Sequence, residues 1–137
     1  MQDNQSFSAA KGTWRGLHYQ MNLIAQSKLV RCTRGRFLMW RWTSSTYGKW
    51  FGVELSVENK KQLLIPRGFM TLTDDAEVQY KVDEFYASEY ECGIRWNDPA
   101  IAVEWPIRDI HPVLSVKVEK APLLEEAEII LYTGSNP

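Results

Sequence analysis

Apolar and polar residues alternate with a period of two along much of this chain, the pattern of strands with one buried face. Val53-Glu54-Leu55-Ser56-Val57 alternates cleanly and predicts one such half-buried strand; Gln62 to Ile65 runs as a strand into Pro66, and Ala76 to Val82 reads as the next strand. Lys28 to Thr33 alternates loosely before an Arg34-Gly35 turn, and Phe37 to Thr43 predicts a strand whose inward face is blurred by consecutive large apolar residues. Trp14 to Gln20 is short and aromatic, Met70 to Thr73 leads into an Asp74-Asp75 turn, and Ile101 to Trp105 reads as a short strand closed by Pro106. Ser44 to Gly48, Glu58 to Lys61 and Asn97-Asp98-Pro99 carry turn chemistry. Residues 1–12 read as an extended lead-in and Asp83 to Cys92 as a long surface connection. Only Ala121 to Leu131 looks helical, with Pro122 tolerated in its first turn. Short strands separated by turns predict an all-β antiparallel barrel or sandwich with a short C-terminal helix.

Composition narrows the function classes. At 137 residues the chain suits one domain with a real core. A net charge of −1 removes the electrostatic case for nucleic acid. Six tryptophans and six tyrosines suit strands and flat binding surfaces. No apolar run approaches the ~20 residues that cross a bilayer. Met1 to Gln5 is polar and has no apolar signal region, so a cytoplasmic protein without a membrane partner is expected. Cys32 and Cys92 form no CxxC pair and read as free, reduced thiols. His18 and His111 are the only histidines, too few for a metal-binding cluster, and His111 before Pro112 reads as structural.

The densest chemistry lies in Arg15-Gly16-Leu17-His18-Tyr19-Gln20. Taken singly, His18 reads as a satisfied structural histidine, Tyr80 and Tyr86 as packing residues and Lys28 as a solvated lysine. The motifs taken together read differently. RGLHYQ at 15–20, KLVRCTRG at 28–35, TYGKWFGVELSVENKKQLLIPRGF at 46–69, YKVDEFYASEYECGIRWNDP at 80–99, AVEWP at 102–106 and SVKVEKAPLL at 115–124 resemble the dTDP-4-dehydrorhamnose 3,5-epimerase family. The resemblance runs from about Gln2 to Leu124 and reverses the reading for His18, Tyr80, Lys28 and Arg15.

The resemblance implies one cupin-type jelly-roll domain over residues 1–137, usually a homodimer, acting on a dTDP-4-keto-6-deoxy sugar without metal or cofactor. The implied reaction removes a proton alpha to a ketone, at C3 or C5, and returns one on the opposite face. Such chemistry needs a base, an acid and a cation near the developing enolate oxygen. By resemblance His18 is the base, Tyr80 the proton donor and Lys28 the cation. Gln2, Asp3, Asn4, Arg15, Tyr86, Glu91 and Lys117 form the implied substrate-binding set, with Arg15 suited to a diphosphate and Tyr86 stacking on the thymine. The wider alternatives are a related mono-epimerase or ketoisomerase, and a homologue that binds nucleotide sugar with little turnover.

Four departures from the family pattern stand out. Val118 stands where the family's Ser-x-Lys-Asp tail places a carboxylate, which predicts a less well aimed histidine. A histidine-bearing segment after Phe69 is absent, and the chain begins at the Gln-Asp-Asn motif, without the family's N-terminal segment. Phe37 to Ser44 is unlike the family's usual strand, as though read one base out of frame, and its tryptophans and Arg41 predict disturbed register.

Overall fold

Antiparallel pairing governs nearly every strand of this chain. The computed structural model describes residues 1–10, 12–20, 25–42, 50–66, 71–73, 76–105 and 111–127. In chain order the strands are β1 (Gln2–Ser8), β2 (Thr13–Trp14), β3 (Leu17–Gln20), β4 (Lys28–Trp42), β5 (Trp50–Ser56), β6 (Gln62–Ile65), β7 (Thr71–Thr73), β8 (Ala76–Val82), β9 (Glu91–Ile94) and β10 (Val113–Leu114). A 3-10 turn (Ser88–Tyr90) precedes β9, and a helical turn, α1 (Val116–Glu119), follows β10.

The main sheet is organised on β4. Its first half lies between β8 and β6, with Lys28 opposite Val82 and Ile65; its second half lies between β5 and β7, with Trp40 opposite Gly52 and Thr71. β1 extends the sheet beyond β8 in continuous register from Gln2↔Val82 to Ser8↔Ala76. Because side chains alternate across a strand, one face of β4 and β8 buries Val30, Cys32, Phe37, Met39, Ala76 and Val78 together with Leu55 and Ile65. A smaller unit pairs β3 with β9 and gathers Leu17, Ile94, Ile101 and Leu124 into a second cluster. Tryptophans join the two: Trp40 of β4 meets Trp105 at 5.6 Å, and Trp105 meets Trp14 of β2 at 4.3 Å.

Several local expectations change. Residues 2–8 are a paired strand rather than a lead-in, because polar side chains there alternate between a half-buried and an exposed face. Arg34-Gly35 lies inside β4, where the register against β8 shifts between Cys32 and Arg34; the extra residue is absorbed as a bulge, not a turn. The 83–92 connection ends in the 3-10 turn and the start of β9. Residues 101–105 form no strand, since Asp98 caps a turn there and Ala102 takes a φ of 49°. The helical turn precedes Ala121, and 121–127 are turns and bends drawn to Arg95 and Asp98; residues 128–131 lie outside the described residues.

The register of Phe37 to Trp42 is continuous against β5. Trp40 fits because its partner is Gly52: a Cβ there would lie 2.2 Å from the indole, so only glycine leaves room for the ring. Residues 43–49 and the 67–70 segment lie outside the described residues. Among the described residues no helix is long and apolar enough to cross a membrane.

Candidate active site

The inner face of the main sheet changes character along its length. At the bulged end it is apolar; toward the start of β4 it carries Lys28, with Tyr80 on β8 and Asn4 and Gln2 on β1. Asn4, Tyr80 and Val30 share one register row, and Gln2, Val82 and Lys28 the next, so four polar side chains gather where the core stops. The Lys28 ammonium lies 6.0 Å from the centre of the Tyr80 ring.

Across from them stands the smaller unit. His18 and Gln20 share a face of β3, being two residues apart, and pair with Gly93 and Glu91 of β9. Together the two units enclose a cleft of about 670 Å³ lined by Gln2, Asn4, Arg15, His18, Lys28, Tyr80, Tyr86, Glu91 and Lys117, with Trp14, Gln20 and Val118 among the other walls. Every residue of the sequence-derived set lines it except Asp3. Alternation along β1 turns Asp3 to the outer face, where its carboxylate meets Lys81 at 2.6 Å and lines a separate groove. His111 is exposed and is not part of the cleft wall.

His18 is oriented by the main chain. Its Nδ1 lies 3.3 Å from the Arg15 carbonyl oxygen, and a carbonyl only accepts, so this contact favours the tautomer with its proton on Nδ1 and its lone pair on Nε2. The carbonyl is aimed by Gly16, which has a φ of 73°, a left-handed conformation that favours glycine. Val118 of α1 closes over Gly16, its Cγ1 only 2.9 Å from where a Cβ would be. The apolar residue at 118 therefore packs against the turn that presents the carbonyl to the imidazole.

Electrostatics keep these groups in distinct states. Burial, helped by the Lys28 ammonium and opposed by Glu91, lowers the His18 pKa to about 4, so the imidazole is neutral at pH 7. Burial likewise lowers Lys28, with the Glu91 carboxylate working against it. Burial raises Tyr80; Arg15 draws it down and Glu91 pushes it further up, so its phenol stays protonated. Burial works to raise Glu91, but hydrogen bonds from Lys117 and Tyr86 outweigh it and hold the carboxyl below its usual range. Tyr86 donates its hydroxyl to Glu91 at 2.6 Å, and that bond, with burial, pushes its pKa up to about 12. Lys117 pairs with the same Glu91 oxygen.

A neutral base, a cation and a protonated phenol thus face one space, an arrangement suited to moving protons at a carbon made acidic by a neighbouring carbonyl. Nearer the rim, Gln2 donates to Asn4 at 3.1 Å and Arg15 to the Ser8 hydroxyl at 3.3 Å. Sequence reasoning gave no role to Gln20 or Trp14. The spacing of two from His18 was the signal for Gln20. The carbonyl partner of His18 carries no side-chain signal.

The sequence profile of a family described as dTDP-4-dehydrorhamnose 3,5-epimerase matches residues 1–126. A dTDP-4-dehydrorhamnose 3,5-epimerase of Sinorhizobium fredii (strain NBRC 101917 / NGR234) is 47% identical, covering 94% of this chain and 70% of its own length. The crystal structure of dTDP-4-dehydrorhamnose 3,5-epimerase from Elizabethkingia anophelis NUHP1 superposes with a TM-score of 0.86 at 38% identity, over 91% of this chain and 72% of that one. The dTDP-6-deoxy-D-glucose-3,5-epimerase of Legionella pneumophila Philadelphia 1, solved in complex with dTDP-4-keto-L-rhamnose, gives 0.84 at 39% identity, over 92% and 70%. With these neighbours the all-β, cupin-type jelly-roll expectation holds.

Proposed function

The chain belongs to the dTDP-4-dehydrorhamnose 3,5-epimerase family, a family of isomerases, and on that premise we propose that it inverts C3 and C5 of a dTDP-4-keto-6-deoxy sugar. The observation that carries this reading is the neutral His18, its Nε2 lone pair free, sharing one cleft with Lys28 and the protonated Tyr80.

In the proposed step the C–H bond alpha to the ketone breaks toward His18 Nε2. Its electron pair moves into the ring and the carbonyl oxygen gains the charge, which Lys28 stabilises. Tyr80 then gives its phenolic proton to the same carbon from the opposite face, and solvent restores both groups. Because Nδ1 is already bonded to the Arg15 carbonyl, the imidazolium formed on abstraction is held in place by the main chain, and no carboxylate at 118 is needed to fix the tautomer. Arg15 meets the diphosphate, Gln2 and Asn4 the sugar end, Tyr86 the thymine, and Glu91 with Lys117 borders the ring between them. A second copy, in the cytoplasm, covers the outer face of the main sheet, where Phe7, Leu29 and Leu64 stay exposed.

The test is incubation with dTDP-4-keto-6-deoxyglucose in deuterated water, followed by NMR. Deuterium at both C3 and C5, with inversion, is the expected result. Deuterium at one centre makes the protein a mono-epimerase, and binding without exchange overturns the catalytic reading.

A further inference from the structure

The connection between β8 and β9 carries Tyr86 to the cleft, and hydrogen bonds with residues 20, 26 and 27 hold it. Its base is fixed by Gln26, which donates to the Glu84 carbonyl at 2.7 Å, and by the Asp83 carboxylate, which accepts from the Ser27 amide at 2.7 Å. Its crest is fixed by Gln20. The Gln20 Nε2 donates to the Phe85 carbonyl at 3.1 Å, and its Oε1 accepts from the Ala87 amide at 3.2 Å. The two bonds straddle Tyr86, which is itself 57% exposed and bonds through its hydroxyl to Glu91.

A carboxamide presents one donor edge and one acceptor edge in a plane, the same pair that a peptide unit offers in a strand ladder. The Gln20 main chain already pairs with Glu91 in β9, so the side chain extends β3's pairing onto residues 85 and 87. The strand that bears His18 and the loop that bears Tyr86 are thereby locked together.

We propose that Gln20 is a positioning residue for ligand recognition, its carboxamide fixing the main chain on both sides of Tyr86 so that the ring is presented at a set distance from His18. The inference rests on the reading that the cleft takes a nucleotide-linked sugar. Without the clamp the ring must be ordered by the ligand itself, so the cost falls on binding rather than on proton transfer. The choice of amide is specific. A glutamate at this position keeps the bond from Ala87 but sets a carboxylate against the Phe85 carbonyl.

The experiment uses the intact chain with Gln20→Leu, Gln20→Glu and Tyr86→Ala, each alone, and with Gln20→Leu combined with Tyr86→Ala. Steady-state kinetics on dTDP-4-keto-6-deoxyglucose and calorimetric binding of dTDP are read together. Gln20→Leu is expected to raise KM and the Kd for dTDP about tenfold, about what one lost 1.4 kcal/mol contact gives, while kcat falls far less. Gln20→Glu keeps the bond from Ala87 but turns the other contact repulsive, so it is also expected to weaken dTDP binding, and it serves if the leucine variant does not fold. In the Tyr86→Ala background the added loss shrinks below about twofold, because no ring remains to be placed. Unchanged binding in Gln20→Leu, or a loss fully additive with Tyr86→Ala, overturns the proposal alone. A parent chain that binds neither dTDP nor the sugar nucleotide overturns the reading of the cleft as well.

Discussion

Around Val30, Phe37, Met39 and Leu55 the interior is made by strands long enough to send alternate residues inward, with β4 alone running from Lys28 to Trp42. Around Leu17, Ile94, Ile101 and Leu124 it is made by four-residue strands and turns, fastened by side-chain bonds to the main chain. There the buried Asp98 accepts from the amides of Ala100 and Leu124, while Arg95 donates from its side chain to the Ala121 carbonyl and from its amide to that of Pro122. The cleft lies at the seam. The long-stranded unit supplies Tyr80 and Lys28, and the hydrogen-bonded one supplies His18 and Glu91. Acid and base thus come from structures stabilised in different ways.

The largest expected effect separates the two halves chemically. His18→Ala should abolish deuterium exchange at the ring carbons, a loss of about 10²–10⁴-fold or more in rate. Tyr80→Phe should suppress inversion to a similar degree yet leave exchange, because His18 can still remove a proton and return a solvent-derived one to the same face. NMR distinguishes incorporated deuterium from inverted configuration. Exchange at the parent rate in His18→Ala would place the base in the other half.

Legibility followed the same division. The boundaries of β8 could be read from alternation alone, because a long two-residue period leaves one consistent face, whereas the short β6 was marked by its apolar run into Pro66. Phe37 to Trp42 kept register despite its bulk because Gly52 leaves space opposite Trp40, a fit between distant positions that local patterning does not encode. In the smaller unit, Ile101 to Trp105 reads as a strand, but the amides of Ile101 and Ala102 turn back to the Asp98 carbonyl, and Asp98 is itself anchored by the distant Leu124 amide, a combination that overrides propensity. Within the site, the motifs marked His18, Tyr80, Lys28 and most of the other cleft-lining polar residues but not Gln20 or Trp14, and only the pleat of β1 could show that Asp3 faces away. The main-chain orientation of His18 was invisible, since Val118 suggests a missing partner while the acceptor is a carbonyl of Arg15.

Stability should divide along the same line. Phe37→Ala empties a fully buried aromatic site in the larger cluster and should cost about 3–5 kcal/mol. Asp98→Ala leaves the amides of Ala100 and Leu124 without their acceptor, at about 1–3 kcal/mol each if water does not reach them. Chemical denaturation gives both totals. The sharper reading is hydrogen exchange below the denaturation midpoint: Asp98→Ala should speed the amides of β3 and β9 well before those of β4. Equal acceleration in both sheets would mean that the two clusters unfold as one.

The pH dependence tests the boundary between them. His18 has a folded-state pKa lowered to about 4 from 6.5, so the unfolded chain takes up its proton first as pH falls. Its contribution is complete above about pH 6.5 and is lost progressively down to about pH 4, roughly 3 kcal/mol in all. The acid limb of kcat/KM, which reports the free enzyme, should lie near pH 4 rather than at the ordinary histidine value. Replacing Lys28 with methionine removes the ammonium that helps hold the imidazole neutral, so stability in acid should improve while turnover falls. An acid limb at the ordinary value in the parent chain would show that His18 is not held neutral by its surroundings.

The smallest effect concerns how the short-stranded half aims its base. Gly16→Ala meets two penalties, a left-handed φ of 73° and a Cβ placed 2.9 Å from Val118 Cγ1. The first costs about 1–2 kcal/mol for any residue with a side chain. The second depends on Val118 and should be relieved by Val118→Ala, which opens space on the α1 side. The double variant should therefore recover part of the stability lost by Gly16→Ala while keeping the conformational share. Its kcat, however, should remain several-fold low, because the Arg15 carbonyl is no longer set against His18 Nδ1. Full recovery of kcat in the double variant would mean that crowding by Val118, and not the turn at Gly16, governs the imidazole.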